Sequence, residues 1–122
     1  GSGMTSEDLD HSSKWKVFFS EKAVIDEFRS IPVDLQASLT HLIEMVEELG
    51  LTVMGMPFVK HIENDLWELR AKAKSGIARG IYVTRTGRNI YILRVIHKKT
   101  ARLARTDIDV ARQRARRINN DH

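Results

Sequence analysis

The main change of period in the apolar residues of this chain falls at Gly55-Met56-Pro57. Before that point Leu35, Leu39, Leu42, Ile43, Val46 and Leu49 recur at a spacing of about 3.6, the apolar face of an amphipathic helix. Beyond it, short apolar runs alternate at a spacing of about 2, the pattern of strands. Helices are thereby grouped ahead of a run of strands, which places the chain in the α+β class.

The elements follow from local chemistry. Trp15-Lys16-Val17-Phe18-Phe19 is aromatic and β-branched, and predicts a first strand. Ser20 is the expected cap of a helix that carries Glu21 in its first turn and Val24, Ile25 and Phe28 on one face. Pro32 breaks that helix, a second runs from Asp34 to Leu49, and Gly50 stops it. The two form an antiparallel helical hairpin across the tight proline turn. Phe58–Ile62, Leu66–Ala71, Ala78–Arg85 and Ile90–Ile96 predict four strands. Glu63-Asn64-Asp65, Lys74-Ser75-Gly76 and Thr86-Gly87-Arg88-Asn89 separate them, and such short turns favour a mainly antiparallel meander. Thr106 is the expected cap of a last helix, Asp107 to Ile118, whose stripe of Ile108, Ala111, Ala115 and Ile118 is narrow and small. Such a helix is expected to dock weakly. The predicted fold is a helical hairpin on one small twisted sheet, with a C-terminal helix.

At 122 residues there is room for one core. Gly1-Ser2-Gly3 reads as a tag remnant and residues 4–14 as a loose lead-in, leaving 15–118 as the expected domain. No cysteine is present, which fits a reducing cytoplasm, and no apolar run approaches the ~20 residues that span a bilayer. No membrane association is expected.

Charge divides the chain. Residues 66–122 carry 15 Lys and Arg against four acids, a balance of +11, whereas residues 1–65 carry 5 against 12, a balance of −7. The basic charges are interleaved with Trp67, Leu69, Ile81, Tyr82, Val83, Tyr91, Ile92 and Leu93, so they belong to a folded surface. A field of this sign suits a phosphate backbone.

Several residues carry candidate chemistry. On Leu66-Trp67-Glu68-Leu69-Arg70, strand alternation puts Glu68 and Arg70 on one face, as a surface ion pair or as part of an arginine cluster with Arg79, Arg85 and Arg94. His97 ends a strand beside Lys98-Lys99, where an imidazole with a pKa near 6.5 suits proton transfer. The remaining histidines show no metal-ligand spacing, the basic half is poor in carboxylates, and no glycine-rich phosphate loop is present. No metal and no cofactor is expected.

Leu66-Trp67-Glu68-Leu69-Arg70, Ala78-Arg79 and Tyr82, Ile92-Leu93, His97-Lys98-Lys99-Thr100, and Ile108 with Ala111 together resemble the phage-derived, HigB-like branch of the RelE/ParE toxin superfamily, over about residues 15–118. The resemblance implies a RelE-like fold, a helix-turn-helix antitoxin as partner, and cleavage of mRNA on the ribosome without metal. Carried over, it points to Arg70, Arg79, Tyr82 and the Lys98-Lys99 pair. In this branch an aromatic commonly precedes the lysines, where His97 stands here, and a proline often follows them, where this chain has Ala104-Arg105.

On that reading Arg70 and Arg79 hold the scissile phosphate, and His97 or Lys98 takes the 2′-OH proton. Tyr82 or Tyr91 stacks a base. Lys72, Lys74, Arg85, Lys99, Arg102 and Arg105 contact RNA backbone. A ParE-type toxin acting on DNA gyrase and a plain RNA-binding module are the alternatives.

Overall fold

The computed structural model describes residues 15–50, 55–85, 88–97 and 102–121. The lead-in, the Thr86-Gly87 turn and Lys98-Lys99-Thr100 lie outside the described residues. The elements are β1 (Lys16–Phe19), α1 (Lys22–Ser30), α2 (Val33–Leu49), β2 (Val59–Glu63), β3 (Leu66–Ala73), β4 (Gly76–Arg85), β5 (Asn89–His97) and α3 (Arg105–Asp121).

The five strands form one sheet in the order β1-β5-β4-β3-β2. From β2 to β5 it is the antiparallel meander that the short turns require. β1 is different, pairing parallel to β5 with Val17 opposite Ile90 and Phe19 opposite Ile92. A parallel neighbour needs a long crossover, and α1 with α2 supplies it.

Both faces of the sheet are covered. On one, Val24, Leu35, Leu39 and Val46 from α1 and α2 pack on Leu69, Ala71, Ala78, Tyr82, Ile92 and Val95. On the other, Ile108, Ala111, Ala115 and Ile118 of α3 pack on Leu66, Ile81, Val83 and Leu93. β4 is therefore buried without interruption from Ala78 to Val83, as strands covered on both faces are. Pairing shifts between Ile81↔Arg94 and Tyr82↔Ile92, which leaves Leu93 as an extra residue on β5. This bulge lets Ile92 and Val95, three apart, share one core.

Three local expectations are corrected. Ser20 does not cap α1, because its N–H donates to the Ile92 carbonyl and Glu21 takes the cap position without a side-chain bond. α3 begins at Arg105, so Thr106 lies inside its first turn. Nor does α3 rest on its narrow apolar stripe alone. Arg94 pairs with Asp107, Arg114 with Glu27, Arg117 with Glu21, and both Arg105 and Arg112 with Glu63. Five ion pairs at well-separated points hold the helix to the sheet and to α1.

Gly50 ends α2 at φ 62°, its N–H donating to the Val46 carbonyl. Trp15 closes over it, and a Cβ there would lie 2.5 Å from the indole. Only glycine meets both conditions.

Candidate functional site

Strand alternation puts Glu68 and Arg70 of β3 and Arg79 of β4 on the α3 face, with Arg70 directly opposite Arg79 in the ladder. Glu68 is 2% exposed and accepts a 3.0 Å hydrogen bond from Arg79 Nη1, and Arg79 is itself 2% exposed. The second carboxylate oxygen of Glu68 lies 3.4 Å from Arg70 Nε, and the Arg70 side chain is 26% exposed. Glu68 is thus no surface ion-pair residue. It is a buried carboxylate between two guanidinium groups, one sealed inside and one reaching solvent.

Above this cluster, beside the N-terminal end of α3, is a cleft of about 200 Å³. Lys60, Glu68, Arg79, Arg102, Leu103 and Ile108 line it. Lys60 stands opposite Glu68 in the β2–β3 ladder and is exposed. Reading by halves missed it, because it lies in the acidic part of the chain; only the strand register brings it to the cleft.

The expected site residues divide between two faces and two ends. Lys72 and Lys74, both exposed, precede the Ser75-Gly76 turn at the Arg70–Arg79 end of the sheet, Lys72 lining a groove with Arg70, while exposed Arg102 lines the cleft with Lys60. Asp34 of α2 anchors this turn by accepting the Ser75 N–H at 2.9 Å, and the Ser75 bonds hold its carboxyl below the ordinary value of 3.8. Arg85 and Tyr91 are at the other end. Six residues separate Arg79 from Arg85 along β4, about 20 Å at strand rise, and Arg85 pairs with Asp65. Tyr91 does keep a surface role within reach, stacked at 5.4 Å on the exposed Phe18 ring. Arg105 is exposed but bound to Glu63 and Asp109. Lys98 and Lys99 lie outside the described residues.

Tyr82 and His97 are on the opposite face from Arg79. Tyr82 is 1% exposed within the α1–α2 core, so its ring has no surface on which a base could stack. Burial pushes its phenol up to about 12, and it stays neutral at any working pH. His97 pairs with Ala78, a residue of that same core, and its Nε2 lies 3.1 Å from the Ser75 carbonyl oxygen. It borders a separate groove with Arg94, Glu27 and Asp107. The site built from Arg70 and Arg79 therefore contains neither Tyr82 nor His97.

The fold also redistributes the charge seen in sequence. Acids of the first half neutralise Arg85, Arg94, Arg105, Arg112, Arg114 and Arg117. Burial alone would lower the Arg94 guanidinium, but the bonds and charges of Asp107 and Glu27 outweigh it and hold it above the usual value. Lys60, Lys72, Lys74 and Arg102 form no ion pair among the described residues. Four acids, Glu21, Glu27, Glu63 and Asp65, thus offset part of the balance of +11, and of the unpaired cations Lys60 and Arg102 lie at the cleft. No described helix is long and apolar enough to cross a membrane.

Solved structures share this fold. One is the archaeal RelE–RelB complex from Pyrococcus horikoshii OT3, similar at TM-score 0.54 and 22% identity over 73% of this chain and 99% of that one. Another is a doubly substituted E. coli toxin RelE in the free state, at TM-score 0.51 and 15% identity over 86% of this chain and 98% of that one. The RelE-like α+β fold expected from the sequence is the fold observed. No curated protein matches the sequence. Residues 26–116 match the family described as "Phage derived protein Gp49-like", and the chain belongs to that family.

Proposed function

We propose that the chain is the toxin of a type II toxin–antitoxin pair and that it cuts mRNA on the ribosome. One observation carries the reading: Lys60 and Arg102, which form no ion pair among the described residues, line a cleft with Arg79 and Glu68, and Arg70, held by the same Glu68, lines a second groove with Lys72. Cations so placed bind phosphates and release counterions. The RelE fold and the RelB-bound relative support the toxin and its antitoxin partner.

The reaction proposed is attack of a 2′-OH on the adjacent phosphate, giving a 2′,3′-cyclic phosphate and a free 5′-OH. Arg70 contacts the scissile phosphate and stabilises its transition-state charge, a role worth about 3–4 kcal/mol for one well-placed donor. Lys60, Lys72, Lys74 and Arg102 hold the neighbouring backbone. His97 faces away from this cluster, so proton transfer from the 2′-OH passes to Lys98. Tyr91, stacked on Phe18, is the remaining tyrosine able to meet a base.

The test is cleavage of a reporter mRNA in a translating extract, mapped by primer extension. Wild-type protein cuts and Arg70→Ala cuts about 100- to 1,000-fold more slowly, while both remain folded. An uncut message together with inhibited DNA gyrase supercoiling would replace this reading by the ParE-type one.

A further inference from the structure

Arg79 is one of the two arginines to which the family resemblance points, yet it is sealed at 2% exposure against an equally buried Glu68. A guanidinium so enclosed has little surface to offer a phosphate. Arg70 is the exposed member, and its Nε is itself buried, in ion-pair contact with Glu68 Oε1 at 3.4 Å but with no hydrogen-bond partner. Glu68 therefore meets the two arginines with different oxygens: Oε2 takes Arg79 Nη1 and Oε1 faces Arg70 Nε. Nη1 and Nη2 of Arg70 remain as the fork for a ligand.

Resting on the proposed nuclease reading, we propose that Glu68 is a positioning residue, and that the Glu68–Arg79 pair is a buried pedestal aiming Arg70 at the scissile phosphate. The arrangement has a physical logic. An arginine held only by solvent samples many rotamers, and fixing it before substrate arrives removes that entropy from the reaction step. The charge balance also fits. Arg79 neutralises Glu68, so the pair leaves the full positive charge of Arg70 for the ligand. Glu68 alone beside Arg70 would cancel it. Arg70 and Arg79 are cross-strand neighbours, so the pedestal sits on paired backbone rather than on a loop.

The test uses Glu68→Gln, which keeps shape and removes charge, in two arms on the full chain. The first reads the ¹⁵N–¹H signal of the Arg70 side-chain Nε–H by NMR, without RNA. A slowly exchanging Arg70 signal in the wild type that collapses in Glu68→Gln is the expected result. An Arg70 signal that is averaged already in the wild type, or unchanged by the substitution, overturns the positioning role. The second arm measures single-turnover cleavage on translating ribosomes in a cycle with Arg70→Ala. Glu68→Gln should slow cleavage about 100-fold, the scale of one lost oxyanion donor. It should leave affinity for a single-stranded RNA oligonucleotide unreduced, and should have little further effect once Arg70 is alanine. A merely structural carboxylate would lower the rate by the same factor in both backgrounds, and that outcome overturns the proposal.

If Glu68→Gln does not fold, Glu68→Met with Arg79→Met replaces the whole pair by apolar side chains, a change buried pairs tolerate. The same two arms then apply, and cleavage at the wild-type rate in that variant refutes the pedestal. Absence of cleavage by wild-type protein, with an ordered Arg70 signal that Glu68→Gln abolishes, would remove the nuclease reading and leave the positioning intact.

Discussion

Glu27 is the residue whose loss should cost this fold most for its size. From α1 its carboxylate accepts from Arg94 Nη1 of β5 at 2.6 Å, from the Val95 N–H at 3.1 Å and from Arg114 Nη1 of α3 at 3.0 Å. Glu27→Ala leaves Arg94 with Asp107, but leaves Arg114, with its side chain 10% exposed, with only the Leu93 carbonyl. Removing one partner of a fully buried pair costs about 3–5 kcal/mol, whereas an exposed pair is worth under about 1. Glu27 is 18% exposed, so the lower end of the buried range applies, about 3 kcal/mol. In a chain of this size that lowers Tm by roughly 10 °C. Urea unfolding gives the free energy, and hydrogen exchange should show the α3 amides from Ile108 to Ile118 losing protection before those of β4. Adding Arg114→Met, which removes the stranded cation, should restore at least ~1 kcal/mol. A loss below ~1 kcal/mol, or two strictly additive substitutions, would show that α3 is held by its apolar stripe and that the network is surface decoration.

Binding of a single-stranded RNA oligonucleotide should weaken steeply with salt, and Lys72→Ala with Lys74→Ala should flatten that dependence by about 1.4 in log–log slope, the share of two phosphate contacts; an unchanged slope would place the RNA elsewhere. His97→Phe should retain cleavage and its pH dependence, since the imidazole borders a different groove from Arg79; a flattened pH–rate profile would return the base role to His97. Asp34 has its pKa lowered in the fold, so its contribution to stability is complete above the ordinary 3.8 and is lost as pH falls through the lower folded value. Acid titration should therefore free the Ser75 amide to exchange, and Asp34→Asn should remove that pH dependence. Equal acid sensitivity in both proteins would dismiss the anchor.

Much of the architecture is legible before any coordinates. The change of period at Gly55-Met56-Pro57 separates helices from strands because each element buries one face at its own repeat. Gly50 stops α2 because a positive φ is a local demand. The residues shared with the RelE/ParE toxins point to the fold that is observed. What local pattern does not carry is which distant surfaces meet. β1 pairs parallel with β5 only because two helices return the chain across the sheet. Glu68 reads as a surface ion pair until α3 and β4 close over it. Tyr82 and Arg79 are three residues apart, and His97 sits one ladder step from Arg79's partner; an odd offset sends each to the opposite face. Arginine shows the difference most plainly. Its count is fixed by composition, but whether it meets a phosphate or a glutamate depends on neighbours up to 96 residues away in sequence, as with Arg117 and Glu21. Those neighbours exist only once the chain has packed.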